Sequence, residues 1–88
     1  HLMKVRISPQ AKSDLQYWAE NDPKTHTKVM ELIKSAKESP FKGIGKPEAL
    51  KHRKPLWSRR ITKEHRLVYY VEQGDLYIVA CRYHYTTI

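Results

Sequence analysis

The chain holds one cysteine, three glycines and one phenylalanine in 88 residues, and each scarcity excludes something. A lone Cys81 cannot close an intramolecular disulfide, and its place in an apolar run makes it a small buried hydrophobe rather than a nucleophile. One cysteine and dispersed histidines give no ligand cluster, so no metal and no cofactor is expected. No glycine-rich phosphate loop opens a helix. No apolar run approaches the roughly 20 residues of a membrane span, and no signal-peptide pattern opens the chain. A soluble, cytoplasmic protein with no membrane partner is therefore expected. Acids are scarce as well: 9 Asp and Glu stand against 17 Lys and Arg, for a formal net charge of +8. That imbalance is the electrostatic footprint of a nucleic-acid partner, and an acidic protein partner fits it equally well.

What is present centres on Leu56 to Val71. Its two flanks carry the Trp, Ile, Val and Tyr content of a pleated, partly buried surface, and the polar run Thr62 to His65 supplies a turn, so a β-hairpin is predicted. Alternation puts Trp57, Arg59 and Ile61 on one face and Ser58 and Arg60 on the other, leaving one face to pack and one to meet an anion. Taken singly, each arginine is more simply a solvated sheet residue or a guard on an edge strand.

The rest of the chain supplies one small core, since a domain of this size buries only about 60% of its unfolded surface. His1-Leu2 reads as a vector-derived remnant outside the fold. Lys4 to Ile7 alternates like an edge strand. Ser8-Pro9 then opens a helix by a capping hydroxyl and a proline at the first helical position. Ala11, Leu15, Trp18 and Ala19 form its apolar stripe, with Lys12, Asp14, Gln16 and Glu20 expected in water. Asn21-Asp22-Pro23 ends that helix and starts a second, whose stripe is Val29, Leu32, Ile33 and Ala36. Ser39 to Pro55 is predicted as a long connection broken by glycine and proline and rich in cations, the kind that survives in a small domain when it binds something. Within it Glu48 is the only acid between Glu38 and Glu64, and alone it suggests no more than a surface ion pair worth about 0 to 1 kcal/mol. Glu72 to Asp75 is a turn, and Leu76 to Tyr83 a central strand. The fold class is α+β: a small antiparallel sheet with two N-terminal helices on one face, in the order β-α-α-β-β-β.

A carboxylate (Glu48), a histidine (His84), arginines (Arg60, Arg66) and terminal aromatics (Tyr83, Tyr85) are the residue types that RNA cleavage uses: a base for the 2′-OH, cations for the phosphorane and an acid for the leaving oxygen. Composition alone still favours a binding module over an enzyme, because basic aromatic sheets bind nucleic acid more often than they cut it.

Three ordered blocks reverse that order. Lys46-Pro47-Glu48-Ala49-Leu50-Lys51-His52, then Trp57-Ser58-Arg59-Arg60-Ile61-Thr62-Lys63-Glu64-His65-Arg66-Leu67-Val68-Tyr69, and finally Cys81-Arg82-Tyr83-His84-Tyr85 closely resemble the Txe/YoeB toxins of bacterial toxin–antitoxin systems, within the RelE superfamily. The resemblance implies one toxin domain over residues 3–85, with 86–88 as a C-terminal extension. It implies a ribosome-dependent endoribonuclease that cuts mRNA in the A site and is neutralised by a cognate acidic, YefM-like antitoxin; a homodimer is compatible with it. By matching position Glu48 is the general base, His84 the general acid, Arg66 the stabiliser of transition-state charge and Tyr85 the residue that positions the nucleotide. Arg60, Arg59, Lys51, His52 and Tyr83 are the expected RNA contacts. The alternative is a basic RNA- or antitoxin-binding module of the same fold without activity. Two departures stand out: Thr86-Thr87-Ile88 removes a terminal carboxylate from Tyr85, and the short connection Arg53-Lys54-Pro55 is expected to re-aim Lys51 and His52.

Overall fold

The computed structural model describes residues 3–83. Five strands form one sheet, β1 (Val5–Ile7), β2 (Glu48–Ala49), β3 (Trp57–Arg60), β4 (Arg66–Glu72) and β5 (Asp75–Ala80), in the spatial order β1-β5-β4-β3-β2. Helices α1 (Pro9–Asn21) and α2 (Pro23–Glu38) cover one face, in the expected α+β arrangement. The three pairs among β2 to β5 are antiparallel, as the hairpins dictate, whereas β1 lies parallel to β5 with Val5 opposite Leu76. The reason is connectivity: the two helices return the chain across the sheet, so β1 can meet the last strand side by side.

Local chemistry starts both helices where the sequence places them. Ser8 Oγ accepts from the Ala11 amide at 3.0 Å, and Asp22 accepts from the Thr25 amide at 3.3 Å and the Thr25 hydroxyl at 2.7 Å. Those two bonds, the hydroxyl first, hold the Asp22 carboxyl below its ordinary value. Val29, Leu32, Ile33 and Ala36 are buried as the period requires, and Trp18 is core, with its indole N–H donating to the Cys81 carbonyl at 2.8 Å. Asp14 does not face water as expected. It is buried because its Oδ2 accepts the Cys81 amide at 3.0 Å while Oδ1 accepts from Gln10, a tie between α1 and the end of β5. Burial, with Asp14 nearby, pushes the Cys81 thiol up to about 12, so it is not a nucleophile at neutral pH.

The turn between β4 and β5 has two residues, Gln73 and Gly74, both with positive φ (51° and 80°), the geometry that matches the twist of a two-residue hairpin. Further along, the β4–β5 register shifts between Val68 and Tyr69. Beside that irregularity the Val79 carbonyl accepts the Ser8 hydroxyl at 2.7 Å, which ties the start of α1 to the sheet.

Between α2 and β3 the chain is less open than its glycines and prolines suggest. Residues 48 and 49 pair with β3, an extra strand that the sequence reading treated as loop. The segment before it is pinned from inside by Arg59. That side chain is fully buried, and its guanidinium donates to Tyr69 Oη (3.0 Å), Ser35 Oγ (2.8 Å) and the carbonyls of Ile44 (3.0 Å), Ser39 (2.7 Å) and Lys42 (2.8 Å). Gly45 allows the close approach: a Cβ there would sit 2.6 Å from Leu32, and its carbonyl accepts the Arg60 amide at 2.7 Å.

Candidate active site

The sheet face away from the helices gathers the charged residues. Arg59 points to the helices, as its bonds to Ser35 and Tyr69 show, so its neighbours Ser58 and Arg60 point to the opposite face, where Ser58 is buried and Arg60 exposed. Register then lines up Glu48 with Ser58, Ser58 with Val68, and Arg60 with Arg66. Two arginines directly opposite one another repel by a few tenths of a kcal/mol or more, a cost tolerated where an anion is to be held.

Glu48 and Arg66, 18 residues apart in sequence, come together here: Arg66 Nη1 lies 3.9 Å from Glu48 Oε1. The Glu48 side chain is largely exposed and that of Arg66 largely covered, so a solvated carboxylate faces a partly buried cation. Arg66 Nε is buried and finds no acceptor among the described residues, and neither does the Ser58 hydroxyl. A groove of about 360 Å³ runs past Glu48 and Ser58 along Lys51, His52 and Arg53. Lys51 and His52 thus share a concavity with Glu48 even across the short connection to Pro55.

The arrangement corrects one expectation and leaves two unaddressed. Arg59 is not an RNA contact: all of its donor nitrogens are engaged inside the protein and none of its surface reaches solvent. His84 and Tyr85 lie outside the described residues. The chain is described as far as Tyr83, whose carbonyl accepts the Arg66 amide at 3.0 Å and whose ring is half exposed. Ser58 was not singled out as a site residue, although the alternation already placed it on the anion-facing side of β3. Among the described residues no three His, Cys, Asp or Glu side chains come together to hold a metal ion, and no helix is long and apolar enough to cross a membrane.

Residues 7–85 match the profile of the YoeB-like toxin of bacterial type II toxin-antitoxin system. The chain belongs to the YoeB toxin family. It is 52% identical over 84 residues to Toxin YoeB of Escherichia coli (strain K12), covering 94% of this chain and 100% of that one. Among solved structures, the YoeB dimer from Staphylococcus aureus superposes with a TM-score of 0.87 at 44% identity, over 97% of this chain and 100% of that one. The YoeB chain of a heterotetrameric YoeB-YefM toxin-antitoxin complex from the same organism does so at 0.84, with 44% identity and the same coverage. The two-helix, five-strand architecture is thus that of the YoeB toxins, and the chain is a toxin of a type II system.

Proposed function

We propose that the protein is an endoribonuclease that cuts mRNA in the ribosomal A site, acting in the cytoplasm as a single toxin domain over residues 3–85. The observation that carries this reading is the convergence of Glu48 and Arg66 on the cationic sheet face away from the helices, with Arg60 opposite Arg66. In this reading the Glu48 carboxylate takes the proton of a ribose 2′-OH. The freed oxygen attacks the adjacent phosphorus, the bond from phosphorus to the 5′-oxygen breaks, and His84 protonates that leaving oxygen, giving a cyclic phosphate and a 5′-hydroxyl. Arg66, its guanidinium fixed by burial, faces the charge that develops on the phosphorane, and Arg60 holds the same phosphate from the neighbouring strand. Tyr85 positions the nucleotide; Lys51, His52 and Tyr83 contact RNA, the first two from the groove beside Glu48. A carboxylate base, a histidine acid and arginine stabilisers complete the proton transfers without calling on a metal or cofactor.

The partner that silences this site is an acidic, YefM-like antitoxin segment, drawn by the +8 charge and ordered as it binds. The Staphylococcus aureus relatives, one a dimer and one a YoeB-YefM complex, support both the antitoxin and a homodimeric free state. Single-turnover cleavage on saturating programmed ribosomes tests the chemistry. Glu48→Gln and His84→Ala are expected to slow it by about 10²- to 10⁴-fold each while ribosome affinity barely moves. Parent-like rates in both variants would refute the assignment of base and acid, and a parent that cuts nothing would favour the inactive binding module.

A further inference from the structure

Tyr83 is a non-glycine residue in the left-handed region, at φ 66°, immediately before the proposed general acid. An L side chain rarely stays there unless its surroundings hold it. Two backbone bonds do so. The Tyr83 carbonyl accepts the Arg66 amide at 3.0 Å, and the Tyr83 amide donates to His65 Nδ1 at 2.7 Å. His65 is itself fixed from three sides. Its carbonyl accepts the amides of Ile61 and Thr62 (3.0 and 3.2 Å), its ring meets Trp18 edge-on at 4.8 Å, and its other side packs against the Tyr83 ring at 5.6 Å. Arg82 completes the anchor, its guanidinium stacked between the Tyr17 ring (3.4 Å) and the Tyr83 ring (4.6 Å).

A ring nitrogen that accepts a hydrogen bond carries no proton, so this contact assigns the ring's N–H to Nε2. We infer that His65 is a positioning residue for the cleavage proposed above: its Nδ1 fixes the backbone at Tyr83, which is hydrogen-bonded to Arg66 and immediately precedes the proposed general acid in the sequence. This rests on the nuclease reading.

Two substitutions divide the role of the acceptor from that of the ring. His65→Asn presents a neutral amide oxygen where Nδ1 stood, and His65→Phe keeps the packing against Trp18 and Tyr83 while removing the acceptor. In the parent, nitrogen NMR of the imidazole is expected to show the Nε2-protonated tautomer, and the Tyr83 amide is expected to be protected from exchange. His65→Asn should preserve that protection and cut ribosome-bound mRNA within about threefold of the parent rate. His65→Phe should lose the protection and cut about 10- to 100-fold more slowly at unchanged ribosome affinity, the usual effect of a catalytic group displaced by about 1 Å. A parent imidazole protonated on Nδ1 overturns the inference, even if the variants fail to fold. So does a His65→Phe variant that keeps both protection and rate, or a His65→Asn variant as slow as His65→Phe. If the parent cuts no mRNA the nuclease reading falls, and the tautomer with the Tyr83 protection still decides separately whether His65 holds the tail.

Discussion

Removing the Arg59 side chain should destabilise this domain strongly, and the size of the effect follows from its bonds. The guanidinium is fully buried with five hydrogen bonds, three of them to the carbonyls of Ser39, Lys42 and Ile44, and none to a carboxylate. The charge is balanced by dipoles: Ser39 caps the C-terminal, electronegative end of α2. In Arg59→Leu the hydroxyls of Ser35 and Tyr69 can turn elsewhere, but the three carbonyls lose their donors at about 1 to 3 kcal/mol each. Relief from burying a charge returns part of that. The net loss expected is about 3 to 5 kcal/mol, against a total of roughly 4 to 13 kcal/mol for a domain of this size. Urea unfolding followed by circular dichroism should therefore show the midpoint falling by about 2 M or more. The loss should persist at high salt, because a buried charge is poorly screened. Arg59→Lys should recover only a fraction, since one ammonium cannot reach both sides of the fork. An Arg59→Leu variant within about 1 kcal/mol of the parent would refute the view that this residue ties the segment before β2 to α2.

The remaining predictions concern charge at the surface. Reversing Lys51, Arg53 and Lys54 to glutamate should weaken ribosome binding and flatten its salt dependence by about one unit in the log–log slope per lost phosphate contact, measured by affinity across a salt series; an unchanged slope would place docking elsewhere. At Asp22 the folded carboxyl sits below its unfolded value of about 4, so its stabilisation is full above that pH and is lost as pH falls through the folded value. Asp22→Asn, which keeps an acceptor but cannot titrate, should show a shallower loss of stability in acid, and superimposable acid-unfolding curves would count against the cap's share.

Both helix starts were legible because each rests on residues adjacent in sequence: Ser8 with Pro9, Asp22 with Pro23. Features that depend on distant partners were not. Asp14 looked solvated on its own helix, and only the Cys81 amide, 67 residues away, explains its burial. β2 is two residues long between a proline and a charged turn, and it exists because β3 offers an edge. Arg59 shows two rules in conflict. Alternation placed it with Trp57 and Ile61 on the packed side, while its charge argued for the surface. The period prevailed because the segment between α2 and β2 folds its own carbonyls inward. For the candidate site, the residue types were readable, and the resemblance supplied the roles proposed for them. The meeting of Glu48 with Arg66 needed the register of three strands.

The parallel pairing of β1 with β5 also sets a schedule. Every earlier element can form locally as the chain emerges, yet Val5 waits for Leu76, a separation of 71 residues, and β5 occupies the slot between β1 and β4. Until that slot is filled, the sheet is split and the apolar side of α1 has no floor beneath Trp18 and Ala11. Contacts this remote slow folding, and they also make it all-or-none. A nascent chain that stops short of Asp75 is therefore unable to assemble the sheet, and the stretch that finishes the core is continuous with the one that leads to Tyr83. Completion of the sheet and the placing of Tyr83 beside Arg66 therefore coincide.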